Sequence, residues 1–302
     1  MIKEKIQKSE LWQYVETHRQ NIENALREHL PLAPPKIETQ FNEAVEYALF
    51  SGGKRLRPVL TLLGAELVGG KPEIILSSAV AVEFIHTSSL IFDDLPCMDN
   101  AGKRRGKISV HEKYGEGLAI LVAIGFLNAS YGMVFVNHTK MPKRAMQAHA
   151  EIVECVGASG MIGGQSVDLA LAKSANSNGF LNKDYNIESV RNLKTSALMR
   201  LALRLGAILA DAKYLELAHL SRFAELLGDA YQLSDDLLDL EEDGAIFEAN
   251  KTFAISQGQE TVQLKLTNTI DEAKRILIEN FPSNEARNCL IQLTDYLAER
   301  KV

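Results

Sequence analysis

Two aspartate-rich clusters, each set at the end of an apolar run, constrain this chain more than any other feature. The first is Asp93-Asp94-Leu95-Pro96-Cys97-Met98-Asp99, after the run Phe84 to Phe92. The second is Asp235-Asp236-Leu237-Leu238-Asp239, after Phe223 to Leu233. A carboxylate at the edge of a core is costly unless something compensates it. Two separate groups of carboxylates suit Mg²⁺, which proteins usually share between carboxylates and substrate phosphates. The expected chemistry is that of an enzyme handling a diphosphate.

Composition supports helices around these clusters. Apolar residues make up 46% of the 302, prolines number 8, and no strand-period alternation is visible, which predicts an all-α chain. No Gly/Pro/Ser-rich linker divides it, so residues 1–302 read as a single domain. The net charge of −6 argues against nucleic-acid binding. Cys97, Cys155 and Cys289 are too few and too scattered for a disulfide framework or a zinc site, and fit a reducing cytoplasm. The charged stretch Met1 to Glu10 predicts no signal peptide. Leu118 to Phe135 is the longest apolar stretch, but Gly125, Asn128, Ser130 and Gly132 interrupt it. It reads as a buried central helix, and no membrane span is expected.

Periodicity and breakers predict helices over Ser9–His29, Ile37–Leu49, Pro58–Val68, Glu73–Phe92, Leu118–Val136, Ala145–Leu171, Ile187–Leu209, Lys213–Leu240, Thr261–Asn280 and Glu285–Arg300. Asn100 to Gly106 reads as a basic loop, and Ser174 to Asp184 as a polar one.

Asp235 and Asp239 are i, i+4 on a predicted helix and share a face, with Gln232 a turn earlier. Two stacked carboxylates repel unless a cation lies between them. His86 and Asp93 also share a face, and Pro96 turns the chain so as to return Asp99 toward Asp93. Lys103, Arg104 and Arg105 follow; arginine offers bidentate hydrogen bonds to phosphate. A third group, Gly52-Gly53-Lys54-Arg55-Leu56-Arg57-Pro58, places three cations and two glycines before a helix N-terminus, which suits a second diphosphate. Lys194-Thr195 and Lys251-Thr252 each set a cation beside a hydroxyl.

GGKRLRP, DDLPCMDNAGKRRGK, GGQSVDL, KTSAL, YQLSDDLLD and NKTF occur in this order between about Phe41 and Gly258. In this the chain resembles trans-prenyl diphosphate synthases. With four residues between Asp94 and Asp99, it is most similar to bacterial and plant-type geranylgeranyl diphosphate synthases. The resemblance implies an all-α, single-domain helical bundle around a deep central cavity, usually a homodimer. It implies about three Mg²⁺ ions with substrate bound. Asp93, Asp99 and Asp235 match direct ligands, with Asp94, Asp236 and Asp239 supporting or acting through water. Arg104, Lys194, Thr195, Gln232 and Lys251 match residues around the allylic diphosphate; Lys54, Arg57, His86 and Arg105 match the isopentenyl diphosphate site.

The chain departs from the family pattern in three places. Ile124 stands where an Asp, expected to be a helix-packing or hydrogen-bond element, is usual. The stretch Glu241 to Asn250 lacks a customary lysine, and Phe92 stands where a His often precedes the first Asp pair. Ser88 and Ser89 occupy two places at one of which farnesyl-producing relatives usually carry an aromatic. A helix turn of ~5.4 Å matches about one isoprene unit, so the serines predict a C20 product. Ile85 and Val82 lie deeper and are not aromatic; Phe126, on another helix, is one candidate for the cavity floor. The alternatives are a farnesyl or longer-chain synthase, a terpene cyclase with one diphosphate site, and a regulatory subunit.

Overall fold

The computed structural model describes residues 9–37, 39–136, 140–174, 187–242 and 258–299, with side chains described except at 171–174, 187–195 and 239–242. The helices are α1 (Glu10–Glu28), α2 (Phe41–Phe50), α3 (Leu56–Leu67), α4 (Pro72–Asp94), α5 (Val110–Tyr114), α6 (Glu116–Met133), α7 (Pro142–Val156), α8 (Met161–Ser174), α9 (Ile187–Leu209), α10 (Tyr214–Glu242), α11 (Gln259–Asn280) and α12 (Glu285–Ala298). The sheet among the described residues is a two-stranded hairpin, β1 (Lys103–Arg104) with β2 (Lys107–Ile108), Arg104 opposite Lys107.

α9 lies at the centre, packed by α3, α4, α7, α8 and α10. α4 is covered by α3 on one side and α6 on another, and α1 lies across α3 and α4 and against α12. Phe84 of α4 and Phe126 of α6 are fully buried, with ring centroids 5.2 Å apart. Two glycines set the closest approach. A Cβ on Gly64 of α3 would stand 2.1 Å from the Leu203 carbonyl oxygen of α9, and one on Gly206 of α9 would stand 1.9 Å from that of Thr61. The backbones touch because neither position carries a side chain.

α4 and α6 are each long and apolar enough to cross a membrane by length and composition, despite the polar interruptions read in the sequence. α4 is a core helix, buried over 72% of its apolar window. α6 is buried over only 33% and leaves Ile120, Leu121 and Ile124 exposed, so the helix expected to be buried and central is largely uncovered.

The helix expected from Ile37 begins at Phe41, α5 has no expected counterpart, and three further differences have a visible cause. Ala145–Leu171 is two helices, broken at Gly157–Gly160, where a Cβ on Gly160 would meet the Cys155 carbonyl oxygen at 2.0 Å. α3 starts at Leu56, so Pro58 falls inside its first turn, where a missing N–H costs no helical bond. The basic loop forms the hairpin, its turn residues Arg105 (φ 53°) and Gly106 (φ 76°) both left-handed. That pair is a type I′ turn, whose twist matches paired strands.

Candidate active site

The first aspartate cluster caps α4. Asp93 and Asp94 are buried while Asp99 is exposed. Past Pro96 the backbone doubles back: Asp99 N donates to Asp93 O at 2.9 Å, and Ala101 N to Asp94 O at 3.1 Å. The expected return of Asp99 toward Asp93 is made by the backbone itself. It also brings the hairpin alongside, and Arg104 donates from Nε to Asp94 Oδ1 at 2.8 Å and again from Nη2. The hydrogen bond to Asp94, then the charges of Asp94, Asp93 and Asp99, hold the Arg104 guanidinium above its ordinary range against the opposing effect of burial. Arg104 thus pairs with Asp94 and feels the charge of Asp93 and Asp99.

Beside them lies a cluster of positive charge. Arg57, in the first turn of α3, and Arg105, at the hairpin tip, both reach His86 on α4: Arg57 Nη1 lies 3.2 Å and Arg105 Nη2 3.5 Å from His86 Nε2. Guanidinium groups only donate, so Nε2 accepts and the ring proton sits on Nδ1. Burial, then the charges of Arg57 and Arg105, push His86 well below its usual range and keep it neutral. Burial likewise lowers Arg57, whose Nε has no hydrogen-bond partner among the described residues. A half-buried cation whose idle donor nitrogen is itself buried is poised for an anion.

Gly52 (φ 114°) and Gly53 (φ 141°) serve this cluster. Arg105 Nη1 donates to Gly52 O, and a Cβ on Gly53 would stand 2.7 Å from that nitrogen. Arg55, counted among three cations suited to a diphosphate, has another role. It is buried in a left-handed conformation and donates at 2.8 Å to each of Glu23, Glu83 and the Leu49 carbonyl. Local pattern reads it as equivalent to Lys54 and Arg57, and only the family resemblance leaves it out of the isopentenyl site. Lys54 is exposed and donates to Tyr296 Oη at 2.8 Å.

The second cluster lies on α10, which continues to Glu242, so Asp235 and Asp239 are one turn apart as expected. Gln232, Asp235 and Asp236 are half-buried. The side chains of Asp239, Lys194 and Thr195, and all of Lys251, lie outside the described residues, as does most of the stretch lacking the customary lysine. Ser88 is buried; Ser89 Oγ donates to His86 O at 2.9 Å. Gln165, in the GGQSVDL segment, approaches Met98 Sδ at 3.8 Å, which brings α8 to the aspartate turn.

Among the described residues no three acidic, histidine or cysteine side chains gather closely enough to enclose a metal by themselves. The donors on offer are carboxylate oxygens alone. That set fits Mg²⁺, a hard ion that completes its octahedron with water and substrate phosphates.

An all-helical bundle with aspartate clusters near the ends of two of its helices, and an arginine group gathered on a buried histidine beside one of them, defines a helical enzyme class that works on prenyl diphosphates. The chain belongs to the polyprenyl synthetase family, whose model matches residues 38–290. It is a transferase of prenyl groups. It is 37% identical over 259 residues to geranylgeranyl pyrophosphate synthase 11, chloroplastic, of Arabidopsis thaliana, covering 84% of this chain and 68% of that protein. It is 37% identical over 300 residues to geranylgeranyl pyrophosphate synthase, chloroplastic, of Capsicum annuum, covering 95% and 78%. Among solved structures, an FPP/GFPP synthase from Zymomonas mobilis superposes with a TM-score of 0.84 at 30% identity, covering 95% of this chain and 98% of that one.

Proposed function

We propose that this chain condenses isopentenyl diphosphate with an allylic prenyl diphosphate and releases geranylgeranyl diphosphate. The observation that carries this reading is the Arg57–His86–Arg105 cluster, separate from the aspartates although its His86 shares helix α4 with Asp93 and Asp94. A cyclase needs one diphosphate site, whereas this arrangement offers two.

The allylic diphosphate is held between Asp93, Asp99 and Asp235, with Arg104, Lys194, Gln232 and Lys251 around it. Mg²⁺ bound by these aspartates would neutralise the diphosphate and make it a leaving group. Isopentenyl diphosphate docks on Arg57 and Arg105, with Lys54 nearby. The neutral His86 adds orientation without a competing charge. Ionisation leaves an allylic cation in an apolar space, where the isopentenyl double bond attacks C1. The departing diphosphate takes the proton. No side-chain nucleophile takes part.

The C20 assignment rests on Ser88. One turn deeper on its face stands Phe84, packed on Phe126. The serine admits a further isoprene unit, and the aromatic pair closes the space beyond it. Names of relatives support the same product.

We also propose a homodimer through α6. Ile120, Leu121 and Ile124 are 37%, 57% and 49% exposed and lie within one turn of each other. Ile124, at the place of the usual Asp, packs this face with a third apolar side chain. Three free thiols suit a reducing, cytoplasmic location.

Incubation with Mg²⁺, labelled isopentenyl diphosphate and dimethylallyl, geranyl or farnesyl diphosphate tests the function. A C20 product is expected, abolished in folded Asp93→Ala and Asp235→Ala. A C15 stop would remove the product assignment, and no elongation with any starter would remove the two-site reading.

A further inference from the structure

Lys54 sits in an aromatic slot built by the two ends of the described chain. Its Nζ lies 5.4 Å from the Trp12 ring centroid and 5.2 Å from that of Tyr296, within cation–π range. It also donates to Tyr296 Oη at 2.8 Å. The two rings meet edge to face at 5.4 Å. Beside them Leu11 N donates to Gln292 Oε1 at 3.0 Å, which ties α1 to α12. α1 grips the same loop a second time through Glu23 and Arg55. Trp12 and Glu23 precede, and Tyr296 follows, the segment 38–290 that the family model matches. The brace on Lys54 therefore comes from outside the family's common segment.

We propose that Trp12 and Tyr296 are positioning residues for isopentenyl diphosphate, acting through Lys54; this rests on the two-site reading above. A lysine on a glycine-flanked loop must give up the freedom of a four-carbon stem when it grips a phosphate. Held in the slot, it gives up that freedom on folding. The ammonium spends one N–H on Tyr296 and keeps two for phosphate oxygens. Such preorganisation lowers KM for isopentenyl diphosphate and leaves the chemical step alone.

Steady-state kinetics with each substrate varied in turn, on Trp12→Leu/Tyr296→Phe, Tyr296→Phe and Lys54→Ala, alone and combined, test this. The slot variant should raise KM for isopentenyl diphosphate about three- to tenfold, the cost of ordering one long side chain. KM for the allylic substrate and kcat should hold. In the Lys54→Ala background the slot substitutions should add nothing. Tyr296→Phe keeps the ring, so it carries the test if the double variant does not fold, with a smaller rise expected. A parallel rise in both KM values, or a fall in kcat alone, would mean a merely structural role and overturn the inference. An unchanged KM in the slot variants, while Lys54→Ala raises it, would overturn the inference and keep the two-site reading. An unchanged KM in Lys54→Ala itself would take Lys54 out of the site and overturn the inference, while the two-site reading, which stands on Arg57 and Arg105, would fall only if Arg57→Ala and Arg105→Ala left KM unchanged as well.

Discussion

Arg55→Met should destabilise the chain more than any other single change in the Gly52–Pro58 loop. Arg55 and Glu83 form an ion pair at 2.8 Å with side chains only 4% and 3% exposed. Removing the guanidinium leaves the Glu83 carboxylate buried without its counter-ion, a loss of about 3–5 kcal/mol. Glu23 is 24% exposed and can turn to water, so it adds little. Methionine keeps the stem's packing, so the loss is electrostatic. At about 2 °C per kcal/mol for a chain of this length, the melting midpoint should fall by about 6–10 °C. Thermal melts followed by circular dichroism, with Arg55→Met/Glu83→Met beside the single variant, measure it. The double variant should recover most of the loss, because no unpaired charge stays buried. A single variant melting within about 2 °C of the parent, or a double variant below the single, would refute the reasoning.

Ser88→Phe should shorten the product to C15, since a ring there fills a turn of about 5.4 Å; chromatography of the products reads it, and an unchanged C20 would remove Ser88 from chain-length control. Burial and the arginines keep His86 neutral when folded, so below the unfolded value of about 6.5 the unfolded chain takes a proton the folded chain refuses. Stability should therefore fall with decreasing pH, at most about 1.4 kcal/mol per unit from this group, and His86→Gln should lack that slope in urea titrations; equal slopes would count against it. Burial pushes the Cys155 and Cys289 thiols up to about 12, so an aromatic disulfide reagent should label Cys97 alone in the native protein and all three after denaturation. Leu121→Glu should turn a dimer into a folded monomer in sedimentation velocity; a monomeric parent would dismiss the α6 interface.

Helices were legible wherever apolar spacing and a breaker agreed. Ile187–Leu209 is bounded as read, and α10 continues through Asp235 as the i, i+4 pair required. The break at Gly157–Gly160 was not legible, because apolar spacing resumes in α8 and lone glycines within a helical pattern are tolerated. The hairpin was hidden because its turn is Arg-Gly rather than Asn-Gly; only the φ of Arg105 reveals it. Within the site, the return of Asp99 followed from Pro96, and motif order brought Arg57, His86 and Arg105 into one group. The role of Arg55 was illegible, since three adjacent cations look alike until Glu83 and Glu23, distant in sequence, meet one of them. The same holds for Trp12 and Tyr296, which no local pattern connects to Lys54.

The contact of Gly64 with Leu203 and of Gly206 with Thr61 has a mechanical consequence. With a carbonyl oxygen lodged where each methyl would be, α3 and α9 cannot slide or roll past one another without collision. One helix carries Arg57 and the other Lys194, so these two residues are anchored on a single rigid strut. Any closing movement around the substrates must be made by other parts of the bundle, with this strut as the fixed frame against which they travel.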